Sequence, residues 1–168
     1  MDEKYLIDSN SLIQPARAYY SFDFAPSFWG QLRPKISLDK IAVLDKVYGE
    51  LLKGTDELAE WAGSLPDSCV LPTKDARIAK AYTDVLDYIQ RSKNYNDAAL
   101  RRWSQFDIAD PWLIAAAMAY GYKILTFEQS AGIITDPSRN PKIPDIARQF
   151  QVPCVSLFDM MRREDFHL

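Results

Sequence analysis

Residues 110–128, DPWLIAAAMAYGYKILTFE, place an apolar helix and an apolar strand in direct succession. Residues 111–120 are strongly apolar and predict a buried helix, which Gly121 ends. Residues 122–126 then predict a buried strand, because their apolar residues form a continuous run rather than an alternating one. A buried helix followed at once by a buried strand is typical of an α/β protein with a parallel sheet.

The rest of the chain continues this alternation. Further strands are predicted at residues 4–8, 40–44 and 153–157, and residues 132–135 fit either a strand or an extended loop. Helices are predicted after residues 9–11, before residues 33–34, and at residues 45–52, 56–61, 73–93, 144–150 and 158–163. The predicted fold class is therefore α/β, with a central and mainly parallel sheet flanked by helices on both faces.

The composition limits the class of protein. The chain has 168 residues, 48% of them hydrophobic and 12% aromatic, and we expect residues 1–168 to form a single domain. Charged residues of both signs make up 26%, which excludes a mainly disordered protein. A formal net charge of −3 predicts no overall basic field. A nucleic acid would therefore have to meet local basic patches or bound metal.

Histidine and cysteine are scarce. The only histidine, His167, excludes paired-histidine nucleases and makes a Ser-His-Asp triad improbable. Cys69 and Cys154 form no Cys-x-x-Cys pair, which disfavours structural zinc and disulfides and fits a reducing compartment. The sequence has no apolar run of about 18 residues and no signal-peptide pattern at its start, so we expect a cytoplasmic protein with no membrane span. Carboxylates remain as the candidates for chemistry.

Four acidic residues fall where a parallel sheet binds its ligands, outside the carboxyl ends of the strands. Asp8 ends the first predicted strand, and Glu128 follows the strand at residues 122–126. Glu50 lies in the helix after the second strand, and Asp110 directly precedes the apolar helix. We expect these four residues to converge on one edge of the sheet.

Such a cluster calls for a counter-ion. Two carboxylates about 4 Å apart repel by roughly 4 kcal/mol at an effective dielectric constant of 20. A hard divalent cation such as Mg²⁺ or Mn²⁺ removes this repulsion and binds oxygen ligands. It also lowers the pKa of a bound water and stabilises charge on a phosphodiester, so no histidine is required.

Four short motifs resemble those of PIN-domain nucleases, the superfamily that includes VapC-type toxins. Residues 5–10 (YLIDSN) resemble the opening strand motif, and residues 47–51 (VYGEL) resemble the helix of the second acid. Residues 110–117 (DPWLIAAA) resemble the motif of the third acid, and residues 124–128 (ILTFE) resemble the strand-Thr-x-acid motif that follows. The order of these motifs matches the superfamily across nearly the whole chain.

This resemblance implies a three-layer α/β/α PIN-like fold and a metal-dependent endoribonuclease. Asp8, Glu50, Asp110 and Glu128 would be both the catalytic residues and the ligands of Mg²⁺ or Mn²⁺. It also implies the role of toxin in a toxin–antitoxin pair, restrained by a cognate antitoxin protein. Glu128 departs from the pattern, where Asp is more usual. Residues 19–29 and 142–146 lie outside the general pattern and resemble a PIN-like subgroup of uncharacterised proteins.

Polar neighbours of the four acids have two interpretations each. Ser9, Asn10 and Thr126 either orient carboxylates and waters around a metal or serve only in turns and helix caps. Asp107 is either a spare ligand or an ordinary loop carboxylate.

The acids themselves also have structural alternatives. Asp8 and Asp110 are natural caps for the helices that follow them. Glu50 and Glu128 could be solvated surface acids. Asp45 competes with Glu50 for the second position but fits better as a helix cap.

A few basic and aromatic residues are candidates for contact with RNA. Arg101 and Arg102, followed by Trp103, form the best local site for a phosphate and a stacked base, and Lys142 is the next candidate. The aromatic residues at 19–29 fit the core or a subunit interface better than a base-stacking surface, and they are compatible with a homodimer.

Two other functions compete with the nuclease. A non-catalytic PIN-like scaffold or partner-binding protein would keep the acids without using them. A phosphatase of the haloacid-dehalogenase type also begins with a strand ending in Asp, but it needs a second acid two residues later, where this chain has Asn10.

Overall fold

A computed structural model describes residues 2–168. Within them, five short strands form one sheet in the order β3-β2-β1-β4-β5, and every neighbouring pair is parallel. The strands are β1 (Tyr5–Ile7), β2 (Ile41–Leu44), β3 (Val70–Leu71), β4 (Lys123–Leu125) and β5 (Cys154–Val155). Every residue of β1 and β2 is buried, so both faces of the sheet are covered.

Helices supply both covering layers. They are α1 (Asn10–Gln14), α2 (Pro26–Leu32), α3 (Asp45–Leu52), α4 (Glu57–Gly63), α5 (Ala76–Arg91), α6 (Asp97–Trp103), α7 (Ala109–Tyr120), α8 (Ile143–Gln149) and α9 (Leu157–Arg163). The result is a three-layer α/β/α arrangement with a parallel sheet, which confirms the predicted fold class. None of the helices within residues 2–168 is long and apolar enough to cross a bilayer.

The pairing of α5 with α7 explains the most apolar stretch of the sequence. The buried residues of α5, Ile78, Ala81, Val85 and Ile89, recur every three or four positions and form one stripe. α7 packs against α5 and also contacts β4, so every residue from Leu113 to Ala117 is buried. Gly121 ends α7 in the left-handed conformation, with φ at 74°, as the sequence predicts.

The prediction of Asp45 as a helix cap is wrong, because its carboxylate is engaged elsewhere. Thr73 donates its backbone N–H and its hydroxyl to Asp45 Oδ2, at 2.9 and 3.0 Å. Asp45 is therefore the first residue of α3 rather than its cap, and Thr73 stands apart from α5. Asp75 caps α5 instead, by accepting from the backbone N–H groups of Arg77 and Ile78. This contact joins the start of α3 to the segment after β3.

Other differences concern short elements. β3 and α6 were not predicted, because β3 has only two residues and α6 carries adjacent arginines that weaken its apolar pattern. Residues 132–135 form a loop rather than a strand. The aromatic stretch at residues 19–29 mostly joins the core: Phe28 and Trp29 are buried, while Phe24 is exposed.

The register of the sheet brings two distant loops together. Ile7 pairs with Leu125, so β1 and β4 end at the same level. Both strands run in the same direction, and the residues that follow them, Asp8 and Thr126, therefore meet at one edge.

Candidate metal and active site

Asp8 follows β1 directly and is almost enclosed, with only 5% of its surface exposed. Its backbone N–H donates to the Leu125 carbonyl at 2.9 Å, and its Oδ2 accepts from the Thr126 hydroxyl at 2.9 Å. Burial, followed by the charges of Asp110 and Glu128, raises the pKa of Asp8 to about 7. A cation placed beside this carboxyl would favour its ionised form.

Asp110 lies in the first turn of α7 and acts electrostatically on Asp8. Burial, followed by the charge of Glu128 and more weakly that of Glu50, raises the pKa of Asp110 to about 6. Asp8 and Asp110 are thus two shielded carboxyls with raised pKa values at one site. The amino end of a helix favours negative charge, which partly offsets this cost at Asp110.

The alternative interpretation of Asp110 as a helix cap is wrong. α7 begins at Ala109, and Ile108 occupies the cap position. No side chain caps this helix, so the Asp110 carboxylate is not used in a capping bond. The carboxylate therefore remains available to a ligand at the sheet edge.

Glu128 is anchored by its neighbours in the loop after β4. Its backbone N–H donates to the Thr126 hydroxyl at 3.1 Å. Its Oε2 accepts from the Ile143 N–H at 3.3 Å, and Lys142 Nζ lies 3.6 Å from Oε1. Glu128 therefore joins the end of β4 to the start of α8, while its charge reaches both Asp8 and Asp110.

Glu50 and Asp107 lie further out. Both are exposed, and both line a groove of about 210 Å³ between α3 and the turn before α7. The charge of Glu50 contributes to the raised pKa of Asp110. The charges of Asp110 and Glu128 thus act on Asp8, and those of Glu128 and Glu50 act on Asp110. Asp8 and Asp110 are shielded, Glu128 is half-buried and Glu50 lies at the surface.

The predicted polar neighbours differ in what they contact. Thr126 binds Asp8 as described, and Asn10 Oδ1 accepts from the Phe127 N–H at 3.3 Å. Asn10 thereby holds the ends of β1 and β4 together. Ser9 is buried and occupies the N-cap position of α1, where its backbone carbonyl accepts from Leu12 and Ile13, but its side chain makes no capping bond.

Two of the predicted RNA-binding residues act electrostatically on the acids. Arg102 and Lys142 both lower the pKa of Asp110, so their charges act at the site. Arg101 and Arg102 are exposed on α6, and Arg102 Nη1 donates to Asn140 Oδ1 at 2.7 Å. Trp103 is fully buried, so the prediction that it stacks on a base is wrong.

The donor set fits a hard divalent cation by its chemistry. The four acids offer only oxygen ligands, which Mg²⁺ and Mn²⁺ prefer. Burial raises the pKa values of Asp8 and Asp110, and the charges of Arg102 and Lys142 offset this only in part at Asp110. Within residues 2–168, no three His, Cys, Asp or Glu side chains lie close enough together in this structure to bind a metal ion.

Sequence reasoning missed an aromatic pair beside the acids. Phe106, which directly precedes Asp107, is 76% exposed, and its ring lies edge-on to Trp112 with centroids 6.5 Å apart. Lys46 Nζ lies 3.1 Å from the centroid of the Phe106 ring. The sequence offers one signal for this pair, which is that the large apolar Phe106 directly precedes the candidate ligand Asp107. Its exposure, however, depends on tertiary packing.

The fold and the site together define a three-layer α/β/α protein: a parallel sheet whose carboxyl edge carries acids from separate segments. The chain belongs to the family described as "Domain of unknown function (DUF4411)", whose model matches residues 5–168.

A solved structure similar to this chain is the crystal structure of VapBC2 from Rickettsia felis bound to a DNA fragment from their promoter. The two chains share 13% sequence identity with a TM-score of 0.49, over 90% of this chain and 97% of that chain. No curated protein matches the sequence.

Proposed function

We propose that this protein is a metal-dependent endoribonuclease that cleaves RNA phosphodiesters at the carboxyl edge of its sheet. The observation that carries the proposal is the nearly enclosed Asp8 carboxylate at the common end of β1 and β4, where it accepts from Thr126 and lies within the influence of the Asp110 and Glu128 charges. Shielded acids that repel one another are costly unless they bind a cation. Their positions coincide with the acidic motifs that resemble those of PIN-domain nucleases.

Each acid has a distinct role in this proposal. Asp8 and Asp110 would be the principal ligands of Mg²⁺ or Mn²⁺, because they are the most shielded. Glu50 and Glu128 would complete the site from α3 and from the loop after β4. When bound, the metal would lower the pKa of a water molecule and offset charge on the phosphodiester.

Neighbouring residues would orient the acids and the substrate. Thr126 fixes the rotamer of Asp8 through its hydroxyl, and Asn10 holds the two strand ends in register. Arg101, Arg102 and Lys142 would contact RNA phosphates on either side of the acids. Asp107 would be a spare carboxylate at the mouth of the groove.

A biological role follows from the motif resemblance. We propose that the protein acts as the toxin of a toxin–antitoxin pair, with a cognate antitoxin that restrains the nuclease. Expression without the antitoxin should then stop cell growth, and the Asp8→Asn variant should relieve that arrest. Equal growth with the wild-type protein and the variant would reject the role of toxin.

The test of the nuclease uses purified protein and a labelled mixed RNA pool, with Mg²⁺, with Mn²⁺ and with a chelator. We expect cleavage that requires metal and that both Asp8→Asn and Asp110→Asn abolish. Asp39→Asn is the matched control, because Asp39 is exposed and pairs with Lys4 before the strands begin. Cleavage that survives both site substitutions would reject the assigned ligands.

A non-catalytic PIN-like binding protein is the second candidate. One observation favours it: within residues 2–168 no three potential ligands are positioned together for a metal ion. Calorimetric titration distinguishes the two candidates. Binding of Mn²⁺ that is lost in Asp8→Asn supports the nuclease, whereas no binding at millimolar Mg²⁺ or Mn²⁺ supports the scaffold.

A further inference from the structure

A cavity of about 600 Å³ lies beside the acidic site, where α3, the start of α5 and α7 approach one another. Its lining includes Lys46, Lys74, Phe106 and Trp112. The site described above uses none of these residues. We refer to this space as the aromatic cavity.

Aromatic rings form part of its wall. Phe106 is 76% exposed; Lys46 Nζ lies over its ring, 3.1 Å from the centroid, and the rest of the exposed ring surface is free for contact with a ligand. Trp112 is half-buried, and Tyr82 stacks on it with ring centroids 3.8 Å apart and planes 18° from parallel. This stacking holds the indole rigidly while the rest of its surface borders the cavity. A fixed indole beside an exposed phenyl ring suits a flat aromatic ligand.

The charges of the wall favour an anionic ligand. Asp45 and Asp75 also line the cavity, but Asp45 accepts from Thr73 and Asp75 accepts from Tyr120 and the start of α5. In contrast, Lys46 and Lys74 form no salt bridge within residues 2–168. Asp45 and Asp75 are thus held by the protein. Lys46 lies over the Phe106 ring, but neither its charge nor that of Lys74 is paired with an acid, so both ammonium groups can contact a phosphate.

The aromatic cavity is continuous with the acidic site. The neighbouring groove of about 210 Å³ shares Asp45, Lys46 and Phe106 with it and extends to Glu50 and Asp107. Lys53 also lines this groove and has no carboxylate partner among the described residues. A single-stranded nucleic acid that lies along this groove would therefore contact lysines and aromatic rings in succession, starting from the acids.

We propose that the aromatic cavity binds an unpaired base of a single-stranded RNA whose neighbouring phosphodiester lies at the acidic site; this inference rests on the proposed nuclease function. Aromatic side chains next to a cationic groove are the usual means by which proteins hold single-stranded nucleic acid. Phe106 and Trp112 would contact the base, and Lys46 and Lys74 would contact the adjoining phosphates.

The same geometry predicts that the aromatic cavity binds all four bases with similar affinity. Two polar atoms at the wall, Asp45 Oδ1 and Trp112 Nε1, have no hydrogen-bond partner within residues 2–168, but both are shielded from solvent. Recognition therefore rests on stacking, which every base supports. We expect oligonucleotides of different sequence to bind with similar affinity, provided that they are single-stranded.

The test measures binding of a short labelled single-stranded RNA by fluorescence anisotropy, in chelator so that the RNA stays intact. Phe106→Ala should weaken binding by about fivefold or more, the lower limit for loss of a base stack. It should leave the weaker binding of a duplex of the same sequence unchanged. The matched control is Phe24→Ala, because Phe24 is 81% exposed and lines neither cavity. Lys46→Gln provides a second variant, which should weaken binding and flatten its salt dependence.

The outcomes separate this proposal from the proposed nuclease. The base subsite would be overturned if Phe106→Ala and Phe24→Ala bound the RNA with equal affinity. It would also be overturned if Phe106→Ala weakened the binding of single-stranded and duplex RNA equally, or if the wild-type protein bound no RNA. Cleavage in Mn²⁺ that Phe106→Ala leaves unchanged would reject the subsite alone. Selective loss of single-stranded binding, in a protein that cleaves no RNA, would retain the subsite and reject the nuclease.

Discussion

Thr126 donates its hydroxyl to Asp8 Oδ2 at 2.9 Å, although the two residues are 118 positions apart in the sequence. The same hydroxyl accepts from the backbone N–H of Glu128 at 3.1 Å. One buried oxygen therefore joins the ends of β1 and β4 and orients the most shielded acid of the site. Its bond to Asp8 lowers the pKa of that carboxyl and opposes part of the effect of burial.

Thr126→Val tests this contact, because valine keeps the shape of threonine and removes the hydroxyl. We expect the free energy of unfolding to fall by about 1–2 kcal/mol, since two buried hydrogen bonds are lost. The pKa of Asp8 should rise further, and Mn²⁺ should bind more weakly at neutral pH. Urea denaturation measures the stability, and calorimetry measures the metal affinity.

The control is Thr83→Val, since Thr83 is exposed on α5 and its hydroxyl donates only to the Ala79 carbonyl. It should change neither property appreciably. If Thr126→Val and Thr83→Val behave alike, Thr126 has no positioning role at the site.

The raised pKa values of Asp8 and Asp110 predict how stability depends on pH. Folded, these groups titrate near 7 and near 6, whereas their ordinary value is 3.8. Between about pH 5 and pH 8 these two groups therefore bind more protons in the folded state than in the unfolded state, and the free energy of unfolding falls as pH rises. This holds in chelator, where no cation compensates the charges. Urea denaturation across this range measures the slope. Below about pH 5 the lowered pKa of Glu3, about 2, acts in the opposite direction.

Asp8→Asn should remove much of this slope. Asparagine retains an oxygen to accept from Thr126 but carries no charge, so the variant should be more stable than the wild type at pH 8, by about 2 kcal/mol. Asp39→Asn should leave the slope unchanged, because Asp39 is exposed. Stability that rises with pH in the wild-type protein over this range would contradict the raised pKa values.

Stabilisation by a bound metal should have the opposite pH dependence. Carboxylate ligands bind a cation only when they are deprotonated, so Mn²⁺ should stabilise the protein more at pH 8 than at pH 5. A ligand at 100 times its Kd adds about 2.7 kcal/mol, which raises the melting temperature by several degrees. Thermal melts with Mn²⁺ and with chelator at both pH values measure the effect. Asp8→Asn and Asp110→Asn should abolish it, and Asp39→Asn should not; an equal shift in all three variants would reject the site.

Much of the sheet edge could be predicted because its signals are local. Asp8 and Thr126 follow short continuous apolar runs, and parallel strands bring their carboxyl ends together. Asp110 precedes the most apolar helix in the chain, so its position could be inferred before any contact was known. These signals lie within a few residues of each acid.

The remaining features depend on contacts between distant segments. The bond of Thr73 to Asp45 spans 28 residues and occupies the carboxylate that the local sequence predicts as a helix cap. The two arginines that precede Trp103 predict a surface position for it, yet the packing of α6 on α5 buries it fully. The aromatic cavity likewise requires α3 to approach α7, which no local pattern reports.

The contact between Lys142 and Glu128 leads to the last prediction. Lys142 Nζ lies 3.6 Å from Glu128 Oε1, and its charge also lowers the pKa of Asp110. A bound metal would compete with this lysine for the same acids. Lys142→Gln should therefore tighten Mn²⁺ binding by up to about fivefold, the equivalent of a partly exposed ion pair, and weaken RNA binding through loss of a phosphate contact.

Calorimetry and anisotropy measure these two effects separately, and opposite changes in the two affinities are the distinctive result. Arg148→Gln is the control, because Arg148 pairs with Asp145 at the surface of α8 and has no contact with Glu128. Both affinities should be unchanged in that variant. If Lys142→Gln leaves Mn²⁺ binding unchanged, Lys142 does not compete with the metal, and its contact with Glu128 serves only to hold the loop after β4 against the start of α8.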